Sequence, residues 1–167
     1  MTLPFALRAG LALASAGCLQ QALEAPATLA QVDQAFFRCR VQPVLATTCA
    51  FFVCHGDGRR PFRVYARNRL RLGKTELTRN EPLTLEERQA NFATARAFVD
   101  ADSPAESLLL GKPLDRDRAQ GRFHRGAELF GGGDVFASRE DPDFRVLLRW
   151  AEGATADTAC IEPGSEL

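Results

Sequence analysis

Apolar positions along the chain cluster into helical stretches separated by long polar or glycine-rich connections. Val32, Phe36, Phe37, Val41, Val44 and Leu45 recur at helical spacing, and Pro43 is expected to bend or end that helix early. Over residues 61–72, Phe62, Val64 and Ala66 alternate with Arg63, Tyr65 and Arg67, a one-sided pattern that is strand-like or extended. Thr84-x-x-Glu87 has the form of a capping box, opening a helix whose Leu85, Phe92, Ala95, Phe98 and Val99 form an inward stripe. A second box, Ser103-Pro104-Ala105-Glu106, introduces a shorter helix through Leu108, Leu109 and Leu110 that Gly111 and Pro113 stop. Residues 115–135 read as a long Gly- and Arg-rich loop. The last helix starts at Asp141-Pro142, carries Phe144, Leu147, Leu148 and Trp150, and closes at Gly153. The pattern has no internal repeat and predicts a mostly α domain with long connections.

The N-terminal pattern differs in kind. Residues 1–17 place Arg8 before a short run of apolar and small residues, too short to span a bilayer, as in a secretory signal. Ser15-Ala16-Gly17-Cys18 resembles a bacterial lipobox, which makes Cys18 the expected lipidated N-terminus. Ordinary cleavage nearby, with Cys18 left as a thiol, is the other outcome. Residues 18–31 are rich in Ala and Gln and lack aromatics, the composition of a flexible tether, so the folded domain is expected over 32–167.

Composition narrows the chemistry. With 167 residues, 46% of them hydrophobic, the chain is long enough to bury an ordinary core. Its 21 basic side chains balance 21 acidic ones, which argues against a protein built chiefly to hold nucleic acid. Five Cys, two His and one Met, the initiator, leave few soft or imidazole ligands.

Cys49 and Cys54-His55 form a C-x4-C-H sequence, a lengthened relative of the C-x-x-C-H signature for c-type haem. Two thiols there form thioethers to the porphyrin, and the imidazole that follows the second ligates the iron. An exported chain meets the compartment in which such attachment occurs. Three other readings of the same residues stand beside it: a local Cys49–Cys54 disulfide, a zinc site with His55 and His124, and a redox-active dithiol.

Phe37, Val41-Gln42-Pro43-Val44-Leu45, Cys49 and Cys54-His55-Gly56 resemble the opening of small bacterial cytochrome c domains of the planctomycete type. In the same order, Ser107 to Leu114, His124, Gly131-Gly132-Gly133, Asp141-Pro142-Asp143-Phe144 and Leu147-Leu148-Arg149-Trp150 look like that family's closing segment. The resemblance spans residues 36–154 and departs from the family in the C-x4-C spacing and in the separation of His124 from the glycine triplet. It implies a small cytochrome c-like helical domain with long loops around one covalent haem c.

Because the only Met leaves with the signal, the sixth iron ligand is expected to be His124, with Lys112, Lys74 or an open position as alternatives. A bis-His centre is closed to substrates and favours electron transfer between redox partner proteins over catalysis. An open position would instead suit a sensor or a peroxidase-like protein, and a haem-free, disulfide-bonded binding or scaffold lipoprotein is the competing class. Cys39 and Cys160 are the cysteines then left over, and a disulfide between them is expected. Arg59, Arg60, Arg63, Arg67, Arg69, Arg71 and Lys74 form a positive run that either meets haem propionates, steers an acidic partner, or is a solvated face paired with acids elsewhere. Phe51, Phe52, Phe62, Tyr65, Phe92 and Trp150 are expected in the core, and Glu86, Glu87, Asp115 and Asp117 in caps and solvated loops. The whole reads as an exported, lipid-anchored electron carrier of the periplasm or cell surface, attached to the outer membrane.

Overall fold

A computed structural model describes residues 28–126 and 133–157 of the chain. Helix is the only regular structure among them, apart from one isolated bridge between Leu114 and Phe136, so the predicted small α domain holds at the level of class. The first helix, α1 (34–49), opens under an Asp33 cap and does not stop at Pro43. It runs on to Cys49 because its backbone widens into π turns at Phe37–Val41 and Leu45–Cys49, on either side of the proline. A proline lacks an amide hydrogen and crowds the carbonyl four residues back, and a wider turn relieves both problems. Packing into the core begins at Ala30.

Four further helices follow. They are α2 (Leu85–Ala97), α3 (Leu108–Gly111), α4 (Arg116–Ala119) and α5 (Pro142–Ala151). The two ends of the domain meet where Phe37 packs against Trp150, with ring centroids 5.2 Å apart, while the indole nitrogen of Trp150 donates to the Asp33 carbonyl at 2.9 Å. Phe92 closes this aromatic group from α2. The Asp141 cap and the left-handed Gly153 bound α5 as expected.

Three local expectations fail for identifiable reasons. The capping box at Ser103 does not form: Asp100 accepts the amides of Asp102 and Ser103, and residues Pro104–Glu106 make a 3-10 turn. The supposed loop after residue 115 contains α4, capped by the buried Asp115, whose carboxylate accepts from the Asp117 and Arg118 amides. The expected one-sided run over 61–72 holds only for residues 63–66, where Val64 and Ala66 are buried; the chain then turns at Arg67 and the left-handed Asn68 (φ 57°), and the segment joins no sheet.

What takes the place of a sheet is the buried face of α2. The capping box at Thr84 is present, but Leu85 is exposed, and the positions that turn inward are Glu87, Asn91 and Ala95, one helical turn apart. Asn91 accepts from the Tyr65 amide and donates to the Tyr65 carbonyl, both at 2.8 Å, and also donates to Gln42 of α1 at 2.9 Å. Glu87 receives Arg71 through two nitrogens, each at 2.9 Å, together with the amides of Leu72 and Thr84. Arg71 spends its other donors on the carbonyls of Arg79, Glu81 and Pro82, which closes the 72–84 loop.

Burial opposes ionisation of Glu87, but Arg71 and the two amides outweigh it and hold the carboxyl below its ordinary value. Its contribution to stability is therefore fully present above the ordinary carboxyl range and is lost as pH falls through it. Glu87→Gln leaves Arg71 buried without its counter-charge and is expected to cost about 3–5 kcal/mol. Urea unfolding at neutral pH checks this, and the gap between wild type and E87Q should narrow as the medium is acidified.

Candidate haem-type cavity

The α1 helix delivers Cys49 to the edge of a cavity of ≈ 270 Å³, and the chain then turns back on itself. The His55 amide donates to the Cys49 carbonyl at 3.0 Å, and the Cys54 and Gly56 amides both donate to the Phe51 carbonyl, at 2.8 and 2.9 Å. Gly56 permits this closure, since a Cβ there would lie 2.2 Å from the Ala50 carbonyl oxygen. The result is a closed 49–56 loop that brings Cys49, Cys54 and His55 to the cavity wall together.

His55 is held at two points by the extended segment. Its carbonyl accepts from the Val64 amide at 2.7 Å, and its Nδ1 lies 2.8 Å from the Phe62 carbonyl. A carbonyl only accepts, so Nδ1 carries the proton and the free lone pair of the ring is on Nε2. Burial is the main reason its pKa lies below the ordinary value, with His124 and Arg60 pushing the same way, and the imidazole is neutral at pH 7.

His124 reaches the same cavity from the far loop. That loop is pinned at its root: the Asp115 amide donates to Phe136, the Phe136 amide to Pro113, and the Arg122 amide to Gly111 at 2.6 Å. His124 Nδ1 donates to the nearly buried Asp134 carboxylate at 2.9 Å, which leaves its lone pair on Nε2 as well. Asp134 is itself fixed, its amide donating to Asp115 at 3.3 Å. The two imidazole planes lie within 14° of parallel, with centroids 5.9 Å apart. The two rings thus face one another across the cavity that both line.

The remaining lining is apolar apart from Thr48 and three cations: Arg60, Lys112 and Arg125. It includes Leu45, Phe62, Phe98, Leu109 and Leu147, and no carboxylate. Such a wall suits a largely apolar ligand that also carries acidic groups. The sequence pointed to Arg60 within a longer positive run, whereas Arg125 and Asp134 were not singled out, since neither belongs to a local motif. The rest of that run is engaged elsewhere: Arg59 with Asp57, Arg71 with Glu87, Lys74 with Glu81, and Arg63 and Arg67 with backbone carbonyls. Lys74 is thus away from the cavity lining, and Lys112 lines it while donating to the Phe123 carbonyl at 3.2 Å.

Cys49 and Cys54 are separate thiols. Among the described residues no three of His, Cys, Asp and Glu form a group that could hold a metal ion. Burial, with smaller contributions from Cys54 and Asp143, pushes the Cys49 thiol up to about 12, and burial also raises Cys54 against the pull of Arg60 and Arg69. Neither has the depressed pKa of a redox-active thiolate. Cys39 on α1 is disulfide-bonded, while Cys18, Cys160, Gly131 and Gly132 lie outside the described residues. No protein-family model, curated protein or solved structure matches the chain.

The thiols differ in access, Cys49 being buried and Cys54 half-buried. In the purified chain with both thiols free at pH 8, iodoacetamide is expected to modify Cys54 first and to reach Cys49 only after denaturant is added. Peptide mapping of a timed alkylation checks the order.

Proposed function

We propose that this protein is an exported, one-haem c-type cytochrome that carries single electrons between protein partners. Cys49 and Cys54 would hold the porphyrin through thioethers, and His55 and His124 would take the two axial positions. The observation that carries the reading is the convergence of two thiols and two imidazoles, each imidazole with its lone pair on Nε2, on one largely apolar cavity.

The haem supplies a reversible one-electron iron couple. The chain's own residues do the rest. Phe62 and Asp134 fix the orientation of the two rings, the form of outer support that ligating histidines require. Leu45, Phe62, Phe98 and Leu147 would keep water from the macrocycle, and Arg60, Lys112 and Arg125 would offer charge-assisted donors to its propionates. With both imidazoles on the iron, no ligation site would remain for a substrate, which favours transfer over catalysis. In this reading the mostly helical domain is cytochrome c-like, Cys18 carries the lipid that tethers it at the outer membrane, and Cys39 pairs with Cys160 to tie α1 to the C-terminal segment.

Expression in a periplasm together with haem-maturation machinery should give a chain with covalent haem and a low-spin reduced-minus-oxidised spectrum. A purified chain without covalent haem would overturn the cytochrome reading. Replacing His124 by Ala should convert the spectrum to high-spin, and an unchanged spectrum removes His124 from the iron.

A further inference from the structure

We infer that the apolar lip of the 49–56 loop, with the arginines beside it, is a docking surface for an acidic protein partner. The inference builds on the electron-transfer reading and says where a partner would sit.

Phe51 and Phe52 were expected in the core, but both are exposed together with Val53, Phe52 at 58% and Val53 at 68%. They are the residues that the C-x4-C spacing leaves between two pinned ends, and Val53 borders the cavity mouth. Phe123 stands beside His124 with 66% of its surface exposed. No other three consecutive apolar side chains among the described residues are exposed together, and such a patch marks an interaction surface.

The charge beside the lip selects the partner. Arg69 lies over the Phe51 ring at 3.7 Å. Arg60, exposed, reaches the Val53 carbonyl at 3.5 Å. Among the described residues neither arginine makes a salt bridge, while the neighbouring Arg59 is neutralised by Asp57 at 2.7 Å. A chain with zero net charge therefore concentrates positive charge next to its one run of exposed apolar residues at the cavity. An apolar centre with a charged rim is the anatomy of a transient protein interface, and the sign calls for carboxylates on the other side. The position at the cavity mouth favours a protein that exchanges electrons over a lipid surface, since exchange requires the two centres to be close.

The probe is a cytochrome c whose lysines have been succinylated, with its unmodified basic parent as control, titrated calorimetrically against the full-length chain. The acidic form should bind, more weakly as salt is raised, and the basic form should not. F52S/V53S and, separately, R60Q/R69Q should each weaken binding by about tenfold. Phe52, Val53 and Arg60 are exposed and Arg69 is half-buried, and unchanged urea midpoints check the folding of each variant. Equal binding of the basic carrier, or no effect of either variant, overturns the inference. So does loss of binding to phosphatidylserine vesicles in the variants with the acidic carrier unaffected, which would make the lip a membrane contact. The absorption spectrum reports haem independently: a chain that binds the acidic carrier but holds no haem retires the electron-transfer reading and leaves the docking surface standing.

Discussion

The buried polar face of α2 is the constraint on which the other features rest. The partly buried segment 61–72, extended at 63–66 and turning at Asn68, carries backbone groups that need partners, and among the described residues no strand lies beside it. Asn91 acts as a one-residue substitute for a strand, taking both backbone groups of Tyr65, and Glu87 takes the Leu72 amide while neutralising Arg71. The segment so fixed then holds His55 through Phe62 and Val64. A loose segment would leave the imidazole free to turn, so the polar core and the geometry of the cavity are one problem. Buried ion pairs are weak contributors to net stability, and the return here lies in conformational uniqueness.

The two imidazoles are held by different chemistry. His55 donates to a neutral carbonyl, whereas His124 donates to a carboxylate nearly removed from water. The two rings are therefore anchored differently, one on the far loop and one beside the cysteines. The clamps follow the same division. The loop bearing His124 is secured at its root by backbone bonds and by Gly121, where a Cβ would lie 1.8 Å from the Leu114 carbonyl oxygen.

What was legible in the sequence was local. The Thr84 and Asp141 caps, the α5 stripe and the C-x4-C-H run each depend on residues within a few positions of one another, and each reads correctly as a pattern. Glu87 and Asn91 read as ordinary helix polar residues because their partners, Arg71, Tyr65 and Gln42, lie 16, 26 and 49 positions away. The same distance rule hid Asp134 from His124. The assignment of Leu85 and Phe51 to the core failed because hydrophobicity alone does not say which face a helix buries or which side of a pinned loop faces water. The failed box at Ser103 shows a competing local bond, from Asp100, defeating a correct motif.

The lengthened spacing between the cysteines can be argued on the same grounds. Adding two residues to a short loop ordinarily alters everything that follows, since each added residue shifts the side chains beyond it. Here the ends are tied independently of what lies between: His55 bonds back to Cys49, and Cys54 and Gly56 both bond to Phe51. The added length is absorbed outward, where Phe52 and Val53 project into solvent, and Arg60 reaches across to the Val53 carbonyl at 3.5 Å. The Cys54–His55 junction keeps its relation to the end of α1, so the extra residues change the surface of the site rather than its interior. An insertion accommodated in this way is free to acquire a role at that surface without disturbing the groups behind it.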